Sequence, residues 1–419
     1  MNLLLVAALA LTFANDKPDL VYNCGETATF TVTAADKDKP DLSGKLVASL
    51  DNFGPKKFAT ETWDLSATNV FTIKGSLSEP GFLRLKVSSE DGKFRKDWSV
   101  AYEPRELRKG SPSPDDFDAF WADARKKLAA EVPLDPQVEL VPERCTSNID
   151  FYRISFATFG RRVYGYMSVP KDASKGPFPV DFGVNAAGFG NWTNDLHPHK
   201  DSICVQFGVY PWPMDWRFKE LGLQAKYDEM NKAAHDKYGC NYASSGITES
   251  REAYFFYPVL LGIDRAVDWV AARPDVDKTR IRYQGTSQGG GFGFYLCGLN
   301  HHFTRAAFYV PAITDTMGYL AGRQSGWPKI IENNSKTPEK RAAAEKWAPY
   351  FDGANFASRI TCPVRVAVGF ADNTCAPCAV YAAFNEIKSS DKDIVHGFGM
   401  THSCFGEFYK KLGDWVRGK

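Results

Sequence analysis

Histidine is scarce in this chain: 7 in 419 residues. Any chemistry that needs an imidazole base must therefore draw on a short set of positions, and each can be weighed in turn. Metal sites are constrained in the same way. Cys375 and Cys378 form the one C-x-x-C of the chain, in "CAPC", and no H-x-x-x-H accompanies it. Half of a zinc site without its other half favours a local disulfide or two free thiols, and no metal is expected. An excess of either charge is lacking too. Lys plus Arg number 51 and Asp plus Glu 50, which leaves no basic stripe for nucleic acid and no acidic tail. A neutral partner, such as a sugar or a small ester, suits this balance. No apolar run is long enough to span a bilayer. The longest at the start, Leu3 to Phe13, is followed by Ala14, and Thr12 and Ala14 have the spacing of a cleavage site. Residues 1–14 therefore read as a secretory signal, which places the protein outside the cell or in the periplasm. No Lys or Arg precedes the run, and the competing reading is a first strand of the fold. The 9 cysteines are odd in number, so at least one stays unpaired within the chain even in an oxidising space.

What is present divides in two, as a length well above roughly 100 to 200 residues per domain suggests. Over 15–104 short runs alternate: "ATFTVTA", "LVASLD", "VFTIKGS", "FLRLKVSS". In the last, Leu83, Leu85 and Val87 share one face and Arg84 and Lys86 the other, as in a half-solvated strand. The segment is expected to be an antiparallel sandwich of immunoglobulin-like size, acting as a spacer or packing module. "EPRELRKGSPSPDD" reads as a linker. A helix follows, with Ser113 as its expected cap and Phe117, Phe120, Trp121, Ala124 and Leu128 as its apolar stripe. From Phe151 strands alternate with longer helical segments, the signature of an α/β protein with a mostly parallel sheet and helices on both faces. That domain is taken as 112–419.

Its most telling stretch is "QGTSQGGG". The strand "RIRYQG" runs into Gly285-Thr286-Ser287-Gln288-Gly289, and glycines two before and two after the serine let a strand-to-helix turn close and hold the hydroxyl out. A serine needs a base beside it to act as a nucleophile. In an α/β-hydrolase order the acid and then the histidine follow. His301 and His302 fall in a loop after the elbow helix, and His396 falls within the last strand. His402 lies past that strand, in "GFGMTHSCFGEF", from where it can reach the carboxyl edge of the sheet. Asp372 ends the strand "PVRVAVGFA"; Asp391 and Asp393 stand at the wrong edge. Asp372 could instead be a helix cap. The oxyanion of a tetrahedral intermediate would take the N–H of Gln288 and one from "NAAGFG", with Ala187 best placed.

The stretches "PSPDDFDAFWADA", "VYGYMSVP", "DKTRIRYQGTSQGGG", "YFDGANFASRITCPVRVAVGFADNTCAP" and "VYAAFNEI" resemble the acetyl xylan esterase and cephalosporin C deacetylase family, carbohydrate esterase family 7, of the α/β hydrolases. The glutamine after the serine is the more specific element. The resemblance implies Ser287, Asp372 and His402 as nucleophile, acid and base, Gln288 and Ala187 at the oxyanion hole, no metal or organic cofactor, and deacetylation of sugar hydroxyls through an acetyl-serine. A small-molecule or oligosaccharide ester is the implied partner, and a homo-oligomer is the implied assembly. The chain departs from the family pattern at Asn185-Ala186-Ala187 (His-Gly-Tyr in the family), at "VYPWP" (Arg-Gly-Gln) and at Ser403 (Glu). The Arg-Gly-Gln segment takes part in the family's subunit contacts, so a ring-like hexamer is not carried over. Three readings follow: a secreted acetyl esterase acting on carbohydrate, a peptidase or general acyl esterase of the same fold, and an inactive carbohydrate-binding relative. The first two share the nucleophile, and the complete serine, acid and histidine set opposes the third. "VYPWPMDW" and Trp192 could face a sugar ring or simply be core, and 315–346 is expected to lie over the site as a helical cap.

Overall fold

The computed structural model describes residues 9–36, 42–189, 196–213 and 215–419. The N-terminal part is a sandwich of two sheets. One contains β1 (Leu9–Asn15), β3 (Ala28–Asp36) and β6 (Val70–Gly75), with β3 in the middle; the other contains β2 (Val21–Tyr22), β4 (Lys45–Asp51), β5 (Lys57–Asp64), β7 (Gly81–Ser89) and β8 (Arg95–Tyr102), in the order β2-β8-β7-β4-β5. The strand alternation is the one the sequence announces: Ala28, Phe30, Val32 and Ala34 are buried while the intervening threonines are half-buried. The sheets meet face to face. Trp63 of β5 stacks on Phe71 of β6 at 4.8 Å, and a Cβ on Gly75 would strike Leu50 and Leu83 of the opposite sheet.

One expectation changes here, and the two readings of the N-terminal run meet an observation. From Leu9 onward the apolar N-terminal run is a strand: β1 pairs with β3 along its whole length, from Leu9 opposite Asp36 to Asn15 opposite Phe30. Phe13 stacks on Trp98 at 5.4 Å, and Trp98 Nε1 donates to Asn15 Oδ1 at 2.8 Å. A short, nearly continuous apolar run serves a leader and a strand equally well, which is why it is ambiguous as sequence. The polar face of β7, expected to meet water, is also covered. Arg84 is 7% exposed and paired with Asp51, because this face lies against the second domain.

The segment after the sandwich is docked rather than loose. Asn385 Nδ2 donates to the carbonyls of Pro104 and Leu107, both at 2.9 Å, and Gly110 N donates to Asp315 Oδ1 at 2.6 Å. Helix α1 (Phe117–Glu131) buries Phe117, Phe120, Trp121, Ala124 and Leu128, as its spacing requires. Ser113 is not its cap. The helix starts at Phe117 behind Asp116, and the Ser113 hydroxyl bonds Asn355 Oδ1 at 2.8 Å instead, a distant partner that outcompetes the local one.

The second domain is built on nine strands: β9 (Gln137–Leu140), β10 (Ile149–Thr158), β11 (Arg161–Pro170), β12 (Phe178–Val184), β13 (Ile203–Phe207), β14 (Val276–Thr286), β15 (Arg305–Tyr309), β16 (Val364–Gly369) and β17 (Lys392–Gly397). Their order is β17-β16-β15-β14-β12-β13-β11-β10-β9. The six from β13 to β17 are parallel; β9, β10 and β11 run antiparallel to their neighbours. Helices α2 (Leu223–Tyr238), α3 (Phe256–Ala271), α4 (Gln288–Leu299), α5 (Ile330–Asn333), α6 (Pro338–Trp347), α7 (Gly353–Ala357) and α8 (Pro377–Glu386) lie between the strands, and α9 (Gly406–Arg417) follows the last of them. From β12 the chain goes to one side to make β13 and returns to the other to make β14. The carboxyl ends of β12 and β14 therefore flank a switch point, where a parallel sheet opens a crevice. No described helix is long and apolar enough to cross a membrane.

A chain shortened to begin at Asn15 is expected to lose about 1–3 kcal/mol of stability, through the lost cross-strand pairs and the Phe13–Trp98 stack. Thermal unfolding of the two forms checks this, and equal midpoints would show that β1 adds nothing to the stability of the sandwich.

Candidate active site

Strand β14 delivers Ser287 to the crevice. Its backbone sits at φ 54 and ψ −117, a conformation that costs energy for a side chain with a Cβ and is tolerated at functional turns. Ser287 N donates to Tyr309 O at 2.9 Å, and Ser287 O accepts from Ala312 N at 2.9 Å, so the end of β15 and the loop after it hold the turn. The flanking glycines are needed for space. A Cβ on Gly285 would stand 2.4 Å from Gly289 O, and one on Gly289 would stand 2.0 Å from Val184 O at the end of β12.

The three residues expected to act together do meet. Ser287 Oγ lies 2.9 Å from His402 Nε2, and His402 Nδ1 lies 2.9 Å from Asp372 Oδ2. Asp372 is fully buried, and its other oxygen, Oδ1, accepts from the N–H of Thr374 at 2.8 Å and of Cys375 at 2.9 Å. Asp372 is not a helix cap, since α8 begins at Pro377 behind Ala376; one oxygen closes the turn before that helix and the other holds the imidazole. With Nδ1–H given to Asp372, Nε2 presents its lone pair to the serine hydroxyl. The rejected histidines have other places. His396 bonds the Tyr381 hydroxyl on the sheet face, and His301 and His302 are exposed.

Gln288 opens α4, so its N–H is among those left free by the first helical turn. Its side chain has a role the sequence did not disclose. Nε2 donates to Asn185 O at 3.2 Å, and Oε1 accepts from the Tyr242 hydroxyl at 2.9 Å. The fully buried amide thus ties the serine turn to the loop after β12, where Ala187 stands half-buried, two residues past Asn185. Asn185 is fixed further by its N–H to Phe207 O at 3.0 Å and by Gln206 Nε2 on its Oδ1 at 2.7 Å. Only the type of residue after the serine hinted at this, since a buried amide must find partners. Tyr242 carried no signal.

All nine cysteines are free, including Cys375 and Cys378. Cys375 Sγ lies within 4.8 Å of the Asp372 carboxylate and a His402 nitrogen. Burial, reinforced by the charge of Asp372, raises its thiol well above the usual range, so it is a neutral neighbour of the serine and not a rival nucleophile. Asp181, His199 and Cys204 form a second cluster with ligand-like spacing. Asp181 is already paired with Arg282 at 2.9 Å, and His199 Nε2 with Arg417 at 2.8 Å, and two guanidinium groups oppose a cation there. Beside the loop after β12, Phe189, Tyr210, Trp212 and Tyr227 pack together, with Tyr210 stacked on Trp212 at 5.8 Å. The aromatic residues of "VYPWPMDW" thus serve largely as packing; Trp192 lies outside the described residues. The segment expected as a cap holds one 3-10 turn at Gly318–Ala321 followed by α5 and α6, and reaches the acid's turn through Gln324 Nε2, which donates to Asn373 O at 2.7 Å.

A serine on a strand-to-helix elbow, facing a histidine held by a buried aspartate on a sheet of this order, defines an α/β hydrolase. A family model described as acetyl xylan esterase (AXE1) matches residues 102–418. Acetyl esterase Axe7A of Xylanibacter ruminicola is 30% identical over 330 residues, 77% of this chain and 71% of that protein. Two solved structures share the fold: an acetyl xylan esterase from Paenibacillus sp. R4 (TM-score 0.62, 23% identity, 75% of this chain and 98% of that one) and acetyl xylan esterase 1 from Thermoanaerobacterium sp. JW/SL YS485 (TM-score 0.60, 20% identity, 75% and 97%). The chain belongs to the acetyl xylan esterase family and is a carboxylic ester hydrolase.

Tyr242→Phe leaves the buried Gln288 Oε1 without its donor and is expected to cost about 1–3 kcal/mol. Urea unfolding checks this; an unchanged midpoint would remove Tyr242 from the account of the elbow.

Proposed function

We propose that this protein is a serine esterase that removes acetyl groups from acetylated carbohydrate through an acetyl-serine intermediate. The observation that supports it best is the continuous line from Ser287 Oγ through His402 to Asp372, with two contacts of 2.9 Å. In this reading Ser287 Oγ attacks the acetyl carbonyl carbon while its proton passes to His402 Nε2. The oxyanion takes the N–H groups of Gln288 and Ala187. The sugar oxygen then leaves with the proton from His402, and the acetyl group stays on Ser287 Oγ as an ester. Water attacks the acetyl-serine and gives a proton to His402; as acetate leaves, His402 passes that proton to Ser287 Oγ, which regenerates the hydroxyl and the free base. Asp372 keeps the imidazole in the tautomer and orientation both half-reactions need. The family and the acetyl esterase relative support acetate as the acyl group. A secreted or periplasmic location accompanies this reading, on the apolar run Leu3 to Phe13 with the small residues Thr12 and Ala14; export with removal of residues 1–14 would support it, and an uncleaved chain retained inside the cell would overturn it.

Ser287→Ala is expected to lower kcat on a chromogenic acetate ester by about 10⁴-fold or more, as loss of a triad nucleophile does. Equal rates in both forms would overturn the assignment. Acetate esters are expected to be cleaved faster than butyrate esters of the same alcohol; rates rising with acyl length would point to a general acyl esterase.

A further inference from the structure

The polar row of the sandwich meets the two loops that carry the acid and the base. Asp51 lies opposite Arg84, and Arg84 opposite Ser99, across β4, β7 and β8. Ser99 Oγ donates to Phe370 O at 2.5 Å, two residues before Asp372, and the Phe82 ring stands edge-on to Phe370 at 5.1 Å. Asn373, the residue after the acid, is held at three atoms. Its Oδ1 accepts from Arg84 Nη1, its Nδ2 donates to Asp97 Oδ2 at 2.6 Å, and its carbonyl accepts from Gln324. Both sandwich partners are themselves fixed: Arg84 donates to both oxygens of Asp51 at 2.8 and 3.0 Å, and Arg95 donates to both oxygens of Asp97 at 2.9 and 2.7 Å. On the side of the base, a Cβ on Gly399 would stand 2.5 Å from the Trp98 ring, three residues before His402.

We propose that the sandwich is a built-in support for the triad, and that Arg84 and Asp97, acting through Asn373, are positioning residues for Asp372. The inference rests on the reading of Ser287, Asp372 and His402 as the working triad. Asp372 belongs to a tight turn in which Oδ1 is occupied by the N–H groups of Thr374 and Cys375. Asn373 contributes the peptides between them, so a rotation there turns the carboxylate and swings Oδ2 away from the imidazole. Displacements of this order are costly, because the reacting groups must stay within a near-attack arrangement. A buried, doubly bonded arginine is an expensive way to gain stability and an effective way to fix one geometry. An arginine that bonds the catalytic turn, placed on a separate sheet, fits that second use.

The test uses the full chain. Asn373→Ala is expected to lower kcat on the acetate ester by about 10- to 100-fold with KM within about twofold, since binding groups are untouched. Asn373→Asp sets a carboxylate against Asp97 and is expected to lose a similar factor. Adding Asp97→Asn to Asn373→Asp exchanges amide and carboxylate between the two positions, restores a donor facing an acceptor, and is expected to recover most of kcat. Tyr102→Phe, which removes the hydrogen bonds to Glu26 O and Gly75 O inside the sandwich, is expected to lower the unfolding midpoint with kcat unchanged. A kcat within twofold for Asn373→Ala, or no recovery on exchange, would overturn the proposal. Ser287→Ala run alongside separates the two readings. If it stays active, the triad assignment falls; if it is dead while Asn373→Ala is normal, only the supporting role falls.

Discussion

The approach of α4 to the end of β12 is the constraint on which the site depends. No side chain fits where Gly289 passes Val184, since a Cβ would stand 2.0 Å from the carbonyl. Because the helix starts this close, the buried Gln288 amide can reach Asn185 and the turn can hold Ser287 at a positive φ. A larger residue at Gly289 would move the helix, and the serine and the loop after β12 would part together. Proximity here is a property of the backbone.

The other two members of the triad arrive by a different route. Asp372 and His402 stand on loops after β16 and β17, and loops do not hold atoms to a fraction of an ångström without help. Part of that help is local: the acid's own turn occupies Oδ1, and Ala371 N donates to Met400 O at 3.0 Å, which links the acid loop to the base loop. The rest comes from outside the sheet, from Ser99, Arg84 and Asp97. The two halves of the chain thus meet at the underside of the acid and base loops, and the contact continues to Gly322, which accepts from Asn52 Nδ2 at 2.9 Å, and to Tyr381 of α8, beside Phe82.

Much of the site could be read in the sequence for a definable reason. Ser287, Asp372 and His402 each follow a recognisable strand, and seven histidines left few rivals. The alternation in 15–104 likewise revealed strands. What could not be read was which surface each polar residue would meet. Arg84 has the periodicity of a solvent-facing residue, and only the docking of a segment almost three hundred residues later, at Asn373, makes it a buried one. Ser113 has the local signal of a helix cap and yields to Asn355 for the same reason. The apolar residues of 9–15 fit a leader and a strand alike, and only their partners in β3 reveal the strand. In each case local pattern specified the element, and long-range contact specified its use.

The same division accounts for the divergence at the loop after β12. Asn185-Ala186-Ala187 replaces the pattern of the resembling family, yet the loop's links to the serine turn and to β13 run largely through main-chain atoms: Asn185 O to Gln288 and Asn185 N to Phe207 O. Side chains at 186 and 187 can change while the path of the backbone, and with it the direction of its N–H groups, is retained; Asn185 also holds Gln206 through its Oδ1. A loop whose task is to present N–H groups is constrained in geometry more than in identity. Sequence drift at 185–187 and retention of Gln288 are therefore expected together, because the glutamine is the side chain that sets the loop's distance from the nucleophile.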